Sequence, residues 1–322
     1  MKHIVTTLAS PSYLVLVGVA LFGATGCGGG AAISAVEAAQ LWNVSTGGSE
    51  QSGAIQALDF YPNSITIHSG DTVAWSNPNT IPHTVSIPPA GQTPPPGPPN
   101  PAQVGGNVFD GSTYISSGFL TEGKPYSVRF TTPGSYAYYC LVHLPEMTGK
   151  IVVIPDGMPL PMSASQYAAA ASADLATDLQ AGVTSIQSFP YTPGGTHVAA
   201  GIAPGLPDSP PAQVTVMRFL DDSNTSANIT VSIGTTVTWT NESNNVPHTV
   251  TFPPAGQPPP AGPPDAIPPT GGPTYDGTAL ANSGVIAPGK SYSLTFTKSG
   301  TFTYYCLFHD GPTGMIGTVT VQ

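Results

Sequence analysis

Tyr138-Tyr-Cys-Leu-Val-His143 and Tyr304-Tyr-Cys-Leu-Phe-His309 are two versions of one phrase, and their neighbourhoods repeat with them. Upstream, Ile65-Thr-Ile-His-Ser-Gly-Asp-Thr-Val-Ala-Trp75-Ser-Asn77 matches Ile229-Thr-Val-Ser-Ile-Gly-Thr-Thr-Val-Thr-Trp239-Thr-Asn241. Pro82-His83-Thr-Val matches Pro247-His248-Thr-Val, Pro88-Pro-Ala-Gly-Gln matches Pro253-Pro-Ala-Gly-Gln, and Ser117-Gly118 matches Ser283-Gly284. A repeat of this length is a duplicated domain, not a solenoid of small units.

The texture of each copy is β. Ile65 and Ile67, then Val73 and Trp75, alternate with polar residues, as do Tyr126, Val128 and Phe130 and their counterparts Tyr292, Leu294 and Phe296. Period-two runs of β-branched and aromatic residues bounded by Gly and Pro are half-buried strands, and short strands at regular spacing make a sandwich or small barrel. Trp75 and Trp239 read as core. The 322 residues leave room for two domains and a linker, and 37 Gly with 37 Pro suit a loop-rich all-β chain. Between the copies, Ser163 to about Gln187 is Ala-rich and reads as a helix that Ser163 or Ser165 caps, bracketed by Pro159, Pro161 and Pro190. It serves as a spacer or as packing between domains.

Each copy places one His early and a tight cluster late: His83, then Cys140, His143 and Met147; His248, then Cys306, His309 and Met315. Two imidazoles, a thiolate and a weak thioether are the donor set of a blue copper electron-transfer site. Soft sulfur suits Cu(I) and imidazole holds Cu(II), so such a site moves little when an electron arrives or leaves. A Cys at a strand end, a His three residues on and a Met shortly after let one loop wrap one side of a metal. The distant His comes from a neighbouring strand. Met147-Thr-Gly-Lys-Ile-Val-Val153 and Met315-Ile-Gly-Thr-Val-Thr-Val321 then alternate as closing strands. Finding the whole set twice, in register with the β repeat, argues against packing alone.

The order Asn, Pro-His-x-Val, Tyr-Tyr-Cys-x-x-His and Met-x-Gly-x-Val resembles the plastocyanin, amicyanin and pseudoazurin group of cupredoxins, over residues 41–155 and 195–322. The resemblance implies two tandem Greek-key β-sandwiches joined by a linker, 156–194, that carries the helix. It implies one type 1 copper per domain, on His83, Cys140, His143 and Met147 and on His248, Cys306, His309 and Met315. One-electron transfer to a redox partner such as a cytochrome or membrane oxidoreductase would follow, with no chemistry on a substrate. It further implies His143 and His309 as surface electron ports. Loops of this family usually leave four residues between the second His and the Met; here there are three (Leu144 to Glu146) and five (Asp310 to Gly314), so the axial distance is expected to differ between the sites.

Lys2 and His3 followed by the apolar run Tyr13–Phe22 read as an export signal too short for a typical membrane span. Small residues then lead to Cys27, which resembles a bacterial lipoprotein signal over residues 1–27 with Cys27 lipidated, although Ala24 stands where Leu is usual. Ordinary cleavage nearby is the alternative. The expected location is extracytoplasmic, periplasmic or cell-surface, with a lipid anchor. Three cysteines in an exported chain raise the question of a disulfide. Cys27 belongs to the signal, however, and Cys140 and Cys306 hold matching places in two copies, so each has its own task. A net charge of −10 with seven Lys plus Arg argues against nucleic acid.

Two rival readings stand beside the electron carrier. A multicopper oxidase or copper nitrite reductase needs additional histidines, often as His-x-His or a His directly before the Cys. No His-x-His occurs, Tyr139 and Tyr305 precede the cysteines, and four of seven histidines are already used. A copper delivery or storage protein would favour Met-rich exchangeable sites, and only six Met occur. His68, at a polar strand position, is expected to be exposed, and His197 has no counterpart in the first copy. The Pro-rich stretches Pro88–Pro101 and Pro253–Pro269 favour extended polyproline, either as stiff surface loops or as walls that shape docking near the metal.

Overall fold

Alternating apolar residues fold each copy into strands whose inward faces meet. The computed structural model describes residues 38–97, 99–189, 195–204, 214–220, 227–244, 246–311 and 314–322. The N-terminal stretch expected to be an export signal, with Cys27, and also Pro190 and much of the stretch from Tyr191 to Pro211 lie outside the described residues. The first copy carries β1 (Leu41–Glu50), β2 (Ile55–Tyr61), β3 (Ser64–His68), β4 (Thr72–Ser76), β5 (Ser86–Ile87), β6 (Val108–Phe109), β7 (Ile115–Ser116), β8 (Tyr126–Phe130), β9 (Gly134–Tyr139) and β10 (Thr148–Ile154). After the helix α1 (Ala164–Ser188), the second carries β11 (His197–Ile202), β12 (Val214–Leu220), β13 (Asn228–Val231), β14 (Thr236–Glu242), β15 (Thr251–Phe252), β16 (Thr274–Tyr275), β17 (Ala281–Asn282), β18 (Ser291–Phe296), β19 (Gly300–Tyr305) and β20 (Ile316–Val321).

Each copy is a β-sandwich, as expected. One layer is a five-stranded sheet, β3-β10-β9-β5-β7 in the first domain and β13-β20-β19-β15-β17 in the second. The opposing layers are the two halves of a single ten-stranded sheet, β16-β18-β14-β11-β12-β2-β1-β4-β8-β6. The Greek-key crossovers show in the parallel pairs: β1 beside β4 with Val44 opposite Trp75, and β11 beside β14 with Val198 opposite Trp239. Trp75 and Trp239 are fully buried, each edge-on to the Tyr that stands two residues before the Cys, Tyr138 at 5.4 Å and Tyr304 at 5.2 Å. Such aromatic pairs add about 0.5–1.5 kcal/mol beyond their burial.

The domains join through β2 and β12, which pair antiparallel with Thr215 directly opposite Gln56. Both strands are buried on both faces, so neither shows the alternation of a half-exposed strand. Ile55, Ala57 and Tyr61 of β2 and Val214, Val216 and Leu220 of β12 face α1, forming one cluster with Ala171, Leu179 and Ile186. The alternate residues point the other way. Phe60 enters the first core, Phe219 the second, and Leu58 and Met217 pack together between them with Ile81 and Val246.

The helix begins at a capping box. Ser163 Oγ accepts from the Gln166 backbone N–H, and the Gln166 side chain accepts from the Ser163 N–H. Its first turns reach the first domain, where Tyr167 stands edge-on to Trp42 at 5.9 Å and accepts from the Thr66 N–H at 3.1 Å. Further along, Tyr61 donates its hydroxyl proton to Asp178. Gly182 lies so close to the sheet that a Cβ there would sit 2.4 Å from Ile55 Cγ2. The helix is therefore bolted across the junction strands. His68 departs from expectation: it is 8% exposed, and its Nε2 donates to the Met158 carbonyl at 2.7 Å.

Candidate metal centre

His83 is held from both sides. Its backbone exchanges hydrogen bonds with Leu120, His83 N–H to Leu120 O at 3.2 Å and the return bond at 2.8 Å. The Asn77 carboxamide donates to the Ile81 and Leu120 carbonyls at 2.8 Å each, tying the turn before His83 to the strand beside it. The second domain repeats this with His248, Ile286 and Asn241, whose donations to Val246 and Ile286 measure 2.9 and 2.8 Å. The Asn that opens the repeated pattern is thus the clamp on the ligand turn.

The loop after Cys140 folds back by three backbone bonds: His143 N–H to Cys140 O (3.2 Å), Met147 N–H to His143 O (3.0 Å) and Cys140 N–H to Met147 O (3.0 Å). The loop after Cys306 closes in the same way, at 2.9, 3.1 and 3.1 Å, although it is two residues longer and 312–313 fall outside the described residues. The closing bonds are the same in both loops despite their difference in length.

These elements bring the predicted residues together. Cys140 Sγ lies 3.7 Å from His83 Nδ1 and 3.3 Å from His143 Nδ1; Cys306 Sγ lies 3.6 Å from His248 Nδ1 and 3.3 Å from His309 Nδ1. In each trio all donor atoms fall within 4.8 Å of one another. A triangle of that size has its centre roughly 2–2.5 Å from every corner, the length of a metal–nitrogen or metal–sulfur bond. The imidazole planes of each pair are tilted, with centroids 4.8 Å apart in the first site and 5.0 Å in the second. Met147 and Met315 are buried in the same core clusters as Cys140 and Cys306.

The electrostatics suit a metal that takes neutral imidazoles and a thiolate. Burial, then the neighbouring imidazole, holds His83 and His248 well below the usual histidine range. Burial takes His143 down to about 4, and burial plus the charge of His143 takes His309 down to about 3. All four are therefore neutral near pH 7 and available as ligands. Burial pushes the Cys140 thiol up and that of Cys306 to about 11, so a metal must displace the proton. The Thr84 and Thr249 backbone N–H groups, each 3.4 Å from the sulfur, favour the thiolate. The donor set, its neutrality and the prepaid sulfur hydrogen bond fit copper in both domains.

The family model for copper binding proteins, plastocyanin/azurin family, matches residues 48–154 and again 217–322. The chain belongs to the plastocyanin/azurin family. Among its relatives, a plastocyanin of Scenedesmus fuscus is 35% identical over 97 residues, covering 30% of this chain and 83% of the relative. An amicyanin of Paracoccus versutus is 29% identical over 99 residues, covering 31% of this chain and 61% of the relative. A plastocyanin of Tetradesmus obliquus is 31% identical, with 59% of its length covered, so this chain spans about three fifths of two of these relatives. The crystal structure of the Paracoccus versutus amicyanin aligns with a TM-score of 0.24 at 22% identity, covering 38% of this chain and 86% of that chain.

As a plastocyanin/azurin family member the chain has its own particulars. Thr84 and Thr249 do two tasks: besides the N–H to sulfur, their hydroxyls accept from the Leu141 and Leu307 N–H groups at 2.7 and 2.8 Å, clasping the ligand loop to the first ligand's strand. The repeated Pro-His-Thr-Val carried that signal. Gly47 and Gly201 carried none. They sit at β-bulges with φ of +82° and +75°, and a Cβ at Gly201 would lie 2.3 Å from His248 Nε2. The two sites also differ behind the first ligand. His83 Nε2 has the Asn79 carboxamide at 3.4 Å, whereas Ser243 stands in its place in domain two and turns to Asn241 Oδ1 and the Val246 carbonyl. Among the described residues His248 Nε2 has no hydrogen-bond partner.

His309, expected at the surface, is 7% exposed; His143 is partly exposed, with Val142 and Leu144 open beside it. His197, exposed, pairs with Glu242 at 3.4 Å. The Pro-rich stretches line matching clefts, Pro88 to Thr93 against Tyr136 and Tyr139, and Pro253 to Gln257 against Phe302 and Tyr305. Their far ends press on the Ser-Gly pairs: a Cβ at Gly118 would meet Pro101 O at 2.5 Å, and one at Gly284 would meet Pro269 Cγ at 2.7 Å.

Proposed function

We propose that the chain is an exported blue copper protein that carries single electrons through two mononuclear type 1 centres. His83, Cys140 and His143, with Met147 as the weak fourth ligand, would hold one copper; His248, Cys306 and His309, with Met315, would hold the other. The observation that carries this reading is the same His–Cys–His cluster, with the same backbone N–H on its sulfur, built twice. Copper supplies the one-electron couple when bound.

The protein's residues supply the rest. Asn77 and Asn241 fix the first imidazole, the Thr84 and Thr249 clasps fix the loop, and the apolar cores around Cys140 and Cys306 exclude water. A site held this rigidly from strand and loop together reorganises little when its charge changes by one. His143, partly exposed beside Val142 and Leu144, is the side at which a redox partner such as a cytochrome or a membrane oxidoreductase would meet the chain. His68 and His197, engaged with Met158 and Glu242, stand apart from both sites, and we assign the chain no substrate chemistry.

Among the described residues no helix is long and apolar enough to cross a membrane. Export and attachment rest on the N-terminal sequence, with lipidated Cys27 as the anchor; a Cys27→Ser chain released from membranes supports this, and one that stays bound refutes it. For the centres, Cys140→Ser and Cys306→Ser should each remove one copper and about half of the visible thiolate band. A variant that keeps both coppers and the full band would overturn the assignment.

A further inference from the structure

The two domains are arranged about a local two-fold at the junction. Phe60 lies on Tyr138 at 4.6 Å and 59°, and Phe219 on Tyr304 at 4.7 Å and 59°, so β2 and β12 are equivalent strands. Counting back from those phenylalanines makes Gln56 the equivalent of Thr215, and these two stand directly opposite each other in the ladder. The two-fold therefore passes between them. Equivalent groups that approach it approach one another.

The metal-binding loops are such groups. Ile81, two residues before His83, and Val246, two residues before His248, pack in one buried cluster with Leu58 and Met217, the residues of β2 and β12 next to the axis. The turns that present the first ligands thus meet across the junction. The second imidazoles stand beside the first: the His143 ring centroid is 4.8 Å from that of His83, the His309 ring centroid is 5.0 Å from that of His248, and His309 is 7% exposed. Each second imidazole turns Nδ1 to its own sulfur, at 3.3 Å in both sites. With copper bound at Nδ1, the conjugated ring would carry electronic coupling to its far edge, away from the sulfur.

We propose that His143 and His309 form an internal electron bridge between the two centres, so that the chain works as a coupled redox pair and not as two independent carriers. The proposal rests on the reading of both clusters as copper sites. The step balances within the chain: one electron leaves the reduced centre and reaches the oxidised one, no bond or proton is exchanged, and no further reactant is needed. His143, the more exposed of the two, exchanges electrons with the partner, and His309 passes them inward.

Two consequences separate this arrangement from two isolated sites. Unpaired electrons on two oxidised centres coupled through such a bridge would interact magnetically. In addition, adding one electron changes the charge seen by the other site across a dry junction, where Coulomb interactions are strong and reciprocal. The test compares the copper-loaded chain with Cys140→Ala and Cys306→Ala, each of which keeps one site. Copper counts and visible spectra come first: one type 1 copper in each variant and two in the parent establish the sites themselves. The oxidised parent should then give an EPR spectrum broadened beyond the sum of the two single-site spectra, and its two potentials should lie further apart than those of the variants. With the half-reduced parent, relaxation after a reducing pulse should be first order and independent of protein concentration.

A parent spectrum equal to the sum, with potentials equal to those of the variants and relaxation that scales with concentration, would overturn the bridge while leaving two copper sites intact. Failure of either variant to take up a type 1 copper would overturn the two-site reading and the bridge with it. A copper-free check is the pair Ile81→Cys with Val246→Cys, which should form a disulfide on mild oxidation; failure to cross-link in a chain that still folds would contradict the facing loops.

Discussion

At the residue scale, the proposed ligands stood out because metal chemistry draws on His, Cys and Met at set intervals, and the His and Cys of each set do come together in the fold. Their supports were not, because Thr and Gly serve many purposes. Gly201 is the sharper case. Its φ of +75° lies in the left-handed region, and a Cβ there would sit 2.3 Å from His248 Nε2. Gly201→Ala should therefore remove copper from the second centre while the first keeps its own, read as a fall from two coppers to one per chain; retention of both would show that the imidazole can give way. Thr84→Val keeps the shape of the side chain and removes only the hydroxyl that accepts from the Leu141 N–H at 2.7 Å. A half-buried N–H losing its acceptor costs about 1–3 kcal/mol. Urea unfolding of the copper-free chain should show a loss of that order, and an unchanged midpoint would mean that water replaces the clasp.

At the element scale, strands with one wet face announced themselves, whereas β2 and β12 did not. Ile55-Gln-Ala-Leu-Asp-Phe-Tyr61 is covered on both sides, so its pattern carries no period of two. The helix was legible from its Ala-rich run and its Ser cap, but its bed was not. Under it lies a carboxylate cluster: burial, reinforced by Asp178 and Asp174, raises Asp59 to about 7. The sign of the consequence follows from linkage. The folded chain holds this proton more tightly than the unfolded chain, so the contribution to stability is full below pH 3.8 and is lost as pH rises towards about 7. A shift of this size corresponds to about 2–4 kcal/mol once partial solvent screening is allowed for. The four histidines of the two clusters act in the opposite sense, losing stability as pH falls below their ordinary value of 6.5. Asp59→Asn should therefore gain stability over the parent between about pH 5 and 7 and little near pH 4. An equal difference at both pH values would show that Asp59 does not titrate in this window.

At the scale of the whole molecule, the duplication was plain in the sequence, and so was the fold of each copy. What the repeat could not show is that β2 pairs with β12 into one ten-stranded sheet. Edge pairing depends on which backbone N–H and C=O groups are left open, and no side-chain motif records that. The same blindness hid the burial of His309. Read alone, each cluster resembled a single-domain carrier with its last His at the surface, whereas His309 is 7% exposed and His143 only partly so.

The claim on which everything else depends is that both clusters bind copper as type 1 centres. Copper counted per chain together with the absorption and EPR spectra of the loaded protein tests it most directly. Two coppers, an intense visible thiolate-to-copper band and narrow copper hyperfine splitting are expected. A colourless protein, or a single copper with the wide splitting of an ordinary type 2 site, would contradict it.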